Sequence, residues 1–339
     1  MRILILGGTN FIGPAVVAQL CEASHEVTIF HRGETEPPGG SAVTHIHGDR
    51  ANLDACTTAF RAAAPEVVID MAPMTEADGV SAVRAFEGIA RRIVAISSID
   101  VYRAYGRLHG SEPGALEPTP LLEDSPLREK LHPYRGERGG KLDDYDKIPV
   151  ERAVMSSPAL TGTVLRLPAV HGERDYQRRL FMEVARMDAG RPAILVQEDQ
   201  MRWRWPRAYV GNVADAIALV ATDERAAGHI YHVAEPYTAT QEEWLRDVAR
   251  IAGWEGEIVA VPTQEMPRHL RDGNNHAQDM SVDSTRIRAE LGYTERVPHD
   301  EGIRRAIAWE RAHPPERVNP KWVDFAAEDA VLAQLDERR

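Results

Sequence analysis

Met1-Arg2-Ile3-Leu4-Ile5-Leu6-Gly7-Gly8-Thr9-Asn10-Phe11-Ile12-Gly13 decides how the chain is read. Ile3 to Leu6 is an unbroken apolar run, as in a strand buried on both faces. It ends in glycines, and Pro14 to Ala23 then shows helical spacing through Val16, Val17 and Leu20. Pro14 is tolerated in the first turn of that helix. A glycine-rich turn from a strand into a helix is a phosphate cradle: bare backbone lets an anion approach, and the helix start offers unpaired N–H groups with a partial positive charge. Gly7 and Gly13 fit the outer positions of G-x-x-G-x-x-G, and Asn10 holds the middle one. Asn tolerates a left-handed backbone, and its amide can donate to a phosphate. With Thr9, Phe11 and Ile12 these residues are the expected pyrophosphate site of a dinucleotide. The alternative is a strand–helix turn with no ligand.

The same alternation continues outward. Strands are expected at 27–30, 43–47, 67–71, 93–97 and 163–167, with helices at 53–63, 78–91 and 150–155 between most of them. Strands alternating with helices predict an α/β fold, a doubly wound parallel sheet with helices on both faces. Residues 103–146 break the rhythm; rich in Pro, Gly and charge, they read as a long functional or partly mobile loop. Beyond about residue 172 the pattern is mixed, with helices expected at 241–252, 300–312 and 325–335 and a strand at 258–261.

Composition narrows the function classes. The 339 residues are 43% hydrophobic and 27% charged, ordinary globular material. A net charge of −12 disfavours general nucleic-acid coating. Cys21 and Cys56 are the only cysteines, too few for a disulfide framework or a zinc knuckle, and the cytoplasm is the default compartment. No apolar run is long enough to cross a bilayer.

The end of the second strand selects the cofactor. An acidic residue there usually bonds the ribose 2′-hydroxyl of NAD. Here the strand ends Ile29-Phe30-His31-Arg32. The missing carboxylate and the Arg32 guanidinium favour NADP, with NAD as the alternative. His45 and His47 share a strand face, but with no third ligand near in sequence they read as strand residues and no metal is expected. Asp49 either caps the adenine or turns the chain.

Further signatures carry a resemblance. Ser97-Ser98-Ile99-Asp100-Val101-Tyr102, Glu123-Asp124-Ser125-Pro126-Leu127, Leu165 to Gly172, Tyr209 to Ile217 and Asp283 to Tyr293 occur in order along the chain. In order and spacing they resemble the extended short-chain dehydrogenase/reductase superfamily, specifically its NAD-dependent epimerase/dehydratase family. The variant glycine turn is similar to an atypical branch that contains the chloroplast stem-loop-binding proteins. The resemblance implies a Rossmann-type domain over residues 1–172, with a return segment near 207–235. A smaller mixed α/β lobe and tail, 173–206 and 236–339, would close over a small-molecule substrate, often a nucleotide-sugar. It also implies a homodimer and assigns Ala72, Pro168 and Val170 to the cofactor.

The family's catalytic set is a Ser or Thr, a Tyr and a Lys, the last two spaced Y-x-x-x-K. The serine carries over to Ser98 and the lysine to Lys147, whose Lys147-Ile148-Pro149-Val150-Glu151 resembles the family's K-x-x-x-E. The tyrosine position holds Asp143 instead. Tyr145 is two residues before Lys147, off its helical face. Pro149 is satisfied if the helix begins near Asp146. Tyr145 then stands in the preceding loop, either swung toward Lys147 or an ordinary loop aromatic. A working set needs the tyrosine to ionise well below its free pKa of about 10, helped by the ammonium. Asp143 is a competing base, and His171 and Tyr134 are spare acid–base groups. Met201 to Arg207 alternates three arginines with two tryptophans, either a phosphate and base clamp or an edge strand. Two functions remain open: an NADP-linked oxidoreductase, epimerase or dehydratase, and a dinucleotide-binding sensor, scaffold or RNA-associated protein without chemistry.

Overall fold

Ile3, Leu4, Ile5 and Leu6 are each at most 2% exposed, so neither face of the first strand meets water. In a computed structural model describing residues 1–35, 43–319 and 322–338, they form β1 (Arg2–Leu6). After it come α1 (Ile12–Glu22), β2 (Glu26–His31), β3 (Thr44–His47), α2 (Thr57–Ala63), β4 (Val67–Asp70), α3 (Glu76–Phe86) and β5 (Arg92–Ser98). Then follow α4 (Arg103–Leu108), α5 (Lys147–Ser156), β6 (Thr161–Leu167), β7 (Ala169–His171), α6 (Phe181–Asp188), β8 (Ala193–Gln197), β9 (Arg207–Tyr209), α7 (Val210–Thr222) and β10 (Ile230–His232). The chain ends through α8 (Gln241–Ala252), β11 (Glu257–Val261), α9 (Thr285–Leu291), α10 (His299–Ala312) and α11 (Phe325–Asp336).

Seven strands form one sheet in the order β10-β6-β5-β4-β1-β2-β3, every pair parallel. This is the Rossmann-type α/β fold. Val16, Val17 and Leu20 of α1 pack with Val213, Ile217 and Val220 of α7 over one face. Ala82 and Phe86 of α3 and Val150 and Val154 of α5 cover the other. The strand order reverses between β1 and β4, and a crevice opens beyond the carboxyl ends of strands at such a switch point. The β8–β11 pair is parallel, and its Ile194 and Val196 pack with Trp244, Leu245 and Ile303 of α8 and α10.

Residues 103–146 are more ordered than expected. They include α4, and a buried ion pair holds the remainder. The Arg128 and Asp146 side chains are both 0% exposed and meet at 3.0 Å. Arg128 also donates to the Asp100 and Lys130 carbonyls, while Asp146 accepts from the His132 amide at 2.7 Å. Side chains here supply the backbone partners that a ladder would otherwise give. Removing one member of such a pair strands a buried charge.

Candidate active site

The glycine turn is built by close contact. Gly7 and Gly8 have φ of +92° and +95°, conformations that cost glycine little. A Cβ on Gly13 would lie 2.3 Å from the Gly8 Cα, so only glycine lets α1 start there. Gly8 is the partner that the sequence reading missed; as a motif it is simply the residue after Gly7. The reading also misplaced the left-handed residue. It is Phe11, with φ +47° and ψ −103°, whereas Asn10 has no positive φ. Asn10 instead uses its carbonyl to accept from the Gly13 amide at 3.0 Å. Phe11 is the N-cap of α1 and supplies no side-chain bond. The first amides of α1 thus have no capping side chain, as an anion site requires.

A cleft of about 460 Å³ runs past this turn, lined by Gly7, Gly8, Thr9, Asn10, Phe11, Ile12, His31, Arg32, Asp49 and Ala72 among others. Gly13 lies beneath it, packed on Gly8. Arg32 is two-thirds exposed and pairs with Glu34 at 3.0 Å. Asp49 caps the following turn by accepting from the Ala51 amide at 2.9 Å. Arg50 on the cleft wall is fixed by a two-pronged bond to Asp70, both at 2.6 Å, and by Asp78 at 2.9 Å.

A second cavity of about 820 Å³ shares Met71, Ala72 and Tyr176 with the cleft, so the two adjoin. Ser98, Tyr145, Lys147, Pro168, Tyr134 and His171 all line it. Val170 does not: its side chain is 3% exposed in the core, and Ala169 and His171 flank the cavity instead. Alternation along β7 explains the correction, since successive residues face opposite sides.

α5 begins at Lys147, capped by Asp146, whose carboxylate accepts from the Ile148 amide at 3.0 Å. Pro149 therefore sits in the first turn. The extended Asp146 backbone puts Tyr145 outside the helix yet still on the cavity wall. Asp143 falls in a turn where its carboxylate accepts from the Gly136 amide at 2.9 Å, and it does not line the cavity. The competing base is thereby set aside.

The Tyr145 hydroxyl donates to Asp100 at 2.7 Å, and the Tyr134 hydroxyl reaches the same carboxylate oxygen at 3.5 Å. Lys147 meets Tyr145 only through its ring, at 5.7 Å from the centroid. Its ammonium donates to the Pro73 carbonyl at 2.7 Å and the Ile96 carbonyl at 3.2 Å, and touches the Met74 sulfur at 3.9 Å. Burial brings Lys147 down from 10.5 to about 8 and raises the Asp100 carboxyl above the usual range. Burial, then the Asp100 charge, push the Tyr145 phenol well above 10. Burial, with the carboxylate added, thus favours the neutral phenol, the opposite direction to the expected phenolate. Asp100 was missed in sequence because nothing local shows that Tyr134 and Tyr145 converge on it. Ser98 Oγ accepts from the Asp100 amide at 3.2 Å, leaving its proton to donate.

Other signatures are structural. Glu151 binds Arg166 through two bonds, at 3.0 and 2.7 Å, and Arg166 donates to the Tyr102 hydroxyl at 2.6 Å. This locks α5 to β6. Of the arginine–tryptophan run, Trp205 and Arg207 line the cavity. Trp203 is tied to the Gln278 carbonyl at 2.9 Å and Arg204 to the Thr238 carbonyl at 2.5 Å. His171 is 2% exposed, neither ring nitrogen has a partner, and burial lowers it to about 3. Burial thus favours its neutral ring.

Residues 3–107, the part that builds the glycine turn and the Ser98 strand, match the NAD dependent epimerase/dehydratase family. Over that stretch the chain is similar to the family. Among characterised relatives, 2'-dehydrokanamycin reductase of Streptomyces kanamyceticus is 26% identical over 88% of this chain and 79% of its own length. The chloroplast stem-loop binding protein of 41 kDa b of Arabidopsis thaliana is 25% identical, covering 78% and 67%. The fold matches that of Thermus thermophilus UDP-glucose 4-epimerase in complex with NAD, with TM-score 0.64 at 22% identity, covering 92% and 99%. Epimerases, dehydratases and reductases all occur among the proteins that the chain resembles. Among the described residues no helix is long and apolar enough to cross a membrane.

Proposed function

We propose that this protein is an oxidoreductase or epimerase that uses a nicotinamide dinucleotide, preferably NADP, on a small hydroxyl or carbonyl substrate such as a nucleotide-sugar. The observation that carries the reading is that Ser98, Tyr145 and Lys147 line a cavity adjoining the glycine-turn cleft. The cleft fits the cofactor: a Cβ-free floor at Gly7, Gly8 and Gly13, uncapped helix amides and Arg32 at the end of β2. Bound there, the dinucleotide supplies or accepts hydride.

The chain's own groups manage the proton and the substrate oxygen. Ser98 donates a hydrogen bond to that oxygen. Tyr145, a neutral phenol, gives its proton to the oxygen during reduction, and Asp100, which accepts from the resting phenol at 2.7 Å, takes up a proton from the cavity and passes it back through that contact. Oxidation runs the relay backward. Lys147 is held by two carbonyls, and its weakest contact, to the Met74 sulfur, is one that a ligand oxygen can replace.

A dinucleotide-binding role without chemistry is favoured by one observation: the Lys147 ammonium bonds two carbonyls and meets Tyr145 only at its ring. Full-length protein with NADPH or NADH and a panel of keto-sugars and nucleotide-sugars separates the two by loss of reduced nicotinamide. No turnover across the panel with cofactor bound would select the non-catalytic role.

Two expectations attach to this reading. Arg32→Ala weakens NADPH binding more than NADH, by about 1.5–3 kcal/mol, the range for a charged hydrogen bond. The exposed Glu34 pair is a weak competitor. Calorimetry with both cofactors checks it, and equal losses would remove Arg32 from the 2′-phosphate. Turnover also falls as pH rises through about 8, where the buried Lys147 loses its proton. In Lys147→Arg that limb disappears from the pH–rate profile, since guanidinium does not deprotonate in this range.

A further inference from the structure

We infer that His31, His45 and His47 form a binding site for one divalent transition-metal ion of the zinc class, on the outer wall of the glycine-turn cleft. Register brings them together. In the parallel β2–β3 pair His31 lies opposite His47, and Ile29 opposite His45. The two-residue period of a strand puts His45 and His47 on one face, and their register partners Ile29 and His31 face the same way. Three imidazoles therefore share one side of the sheet edge, since β3 is the terminal strand.

One ligand atom from each ring lies within 4.8 Å of the others, the only such cluster among the described residues. His31 Nε2 and His45 Nδ1 are 2.9 Å apart and share a proton; the His31 and His47 rings are 4.8 Å apart. Zinc–imidazole bonds of about 2.0–2.1 Å set tetrahedral ligands about 3.4 Å apart. His47 is exposed and β3 ends there, so rotating its ring can close the wider gaps. An ion on His31 Nε2 moves that ring's proton to Nδ1, which now accepts from the Gly33 amide at 3.2 Å. That long bond must break, and Gly33, at φ +82°, is free to turn its peptide. Neutral imidazole suits zinc, copper and nickel, and three protein ligands leave a fourth position for water.

The test uses full-length protein stripped with a chelator, then titrated at pH 8 with Co²⁺ as an optical probe and with Zn²⁺ by calorimetry. One ion per chain is expected, with tetrahedral cobalt absorption. His45→Ala and His47→Ala should each weaken Zn²⁺ by about tenfold or more, a loss readily resolved as a change in Kd. His313→Ala, whose ring bonds only the Trp309 carbonyl and stacks on Trp309, should leave binding unchanged. Should either alanine variant fold poorly by circular dichroism, His47→Gln at the exposed position takes its place. Absence of cobalt absorption, or equal Zn²⁺ affinity in the His47 variant, would overturn the site.

Discussion

Gly13→Val abolishes measurable dinucleotide binding. The first atom of any side chain at that position would stand 2.3 Å from the Gly8 Cα and 2.6 Å from its carbonyl oxygen. Backbone cannot yield as a flexible side chain does, so α1 must shift away from β1. The helix amides then leave the cleft and the bend of the turn is lost. Overpacking of this kind typically costs 1–3 kcal/mol or more, so a lower melting temperature is also expected. Calorimetric titration with NADPH and NADH checks the first effect, and circular dichroism shows that the chain is still folded. Asn10→Gly is the mild control, since Asn10 bonds through its carbonyl, which glycine retains. Undiminished affinity in Gly13→Val would mean that the turn does not hold the cofactor.

Tyr145→Phe lowers turnover by 10²–10⁴-fold, the usual contribution of a general acid–base group, with cofactor affinity intact. The phenol is the hydroxyl bonded to Asp100, and the ring remains in Phe, so the loss isolates the O–H. Asp143→Asn should retain activity, because that carboxylate serves the Gly136 amide in a turn outside the cavity. Asp100→Asn should fall with Tyr145→Phe, since an amide cannot replace the relayed proton. Activity in Tyr145→Phe equal to the parent would take Tyr145 out of the mechanism.

Much of the architecture is local and could be read directly. Ile3 to Leu6, the glycine turn and the helix after Pro14 depend on neighbours a few residues apart, and they form as their chemistry requires. Pro149 and Asp146 likewise locate the start of α5. The short β7, β8, β9 and β10 strands were harder to see, because three to five residues carry little periodicity.

The amino-acid order alone determined the parallel α/β class and the glycine turn, because strand burial, helix capping and glycine geometry act over short stretches, while Ser98 and Lys147 became candidates through the family resemblance. Only the tertiary structure decided that Phe11 and not Asn10 takes the positive φ, that Gly13 rests on Gly8, and that Val170 turns into the core. It alone brought Asp100 to Tyr145, 45 residues on, and His31 to His45 across two strands. These outcomes depend on strand register and on burial by distant segments. The Tyr145 ionisation shows the consequence: a nearby ammonium in sequence suggested a phenolate, but burial, and then the carboxylate that folding places against the hydroxyl, raise the phenol instead.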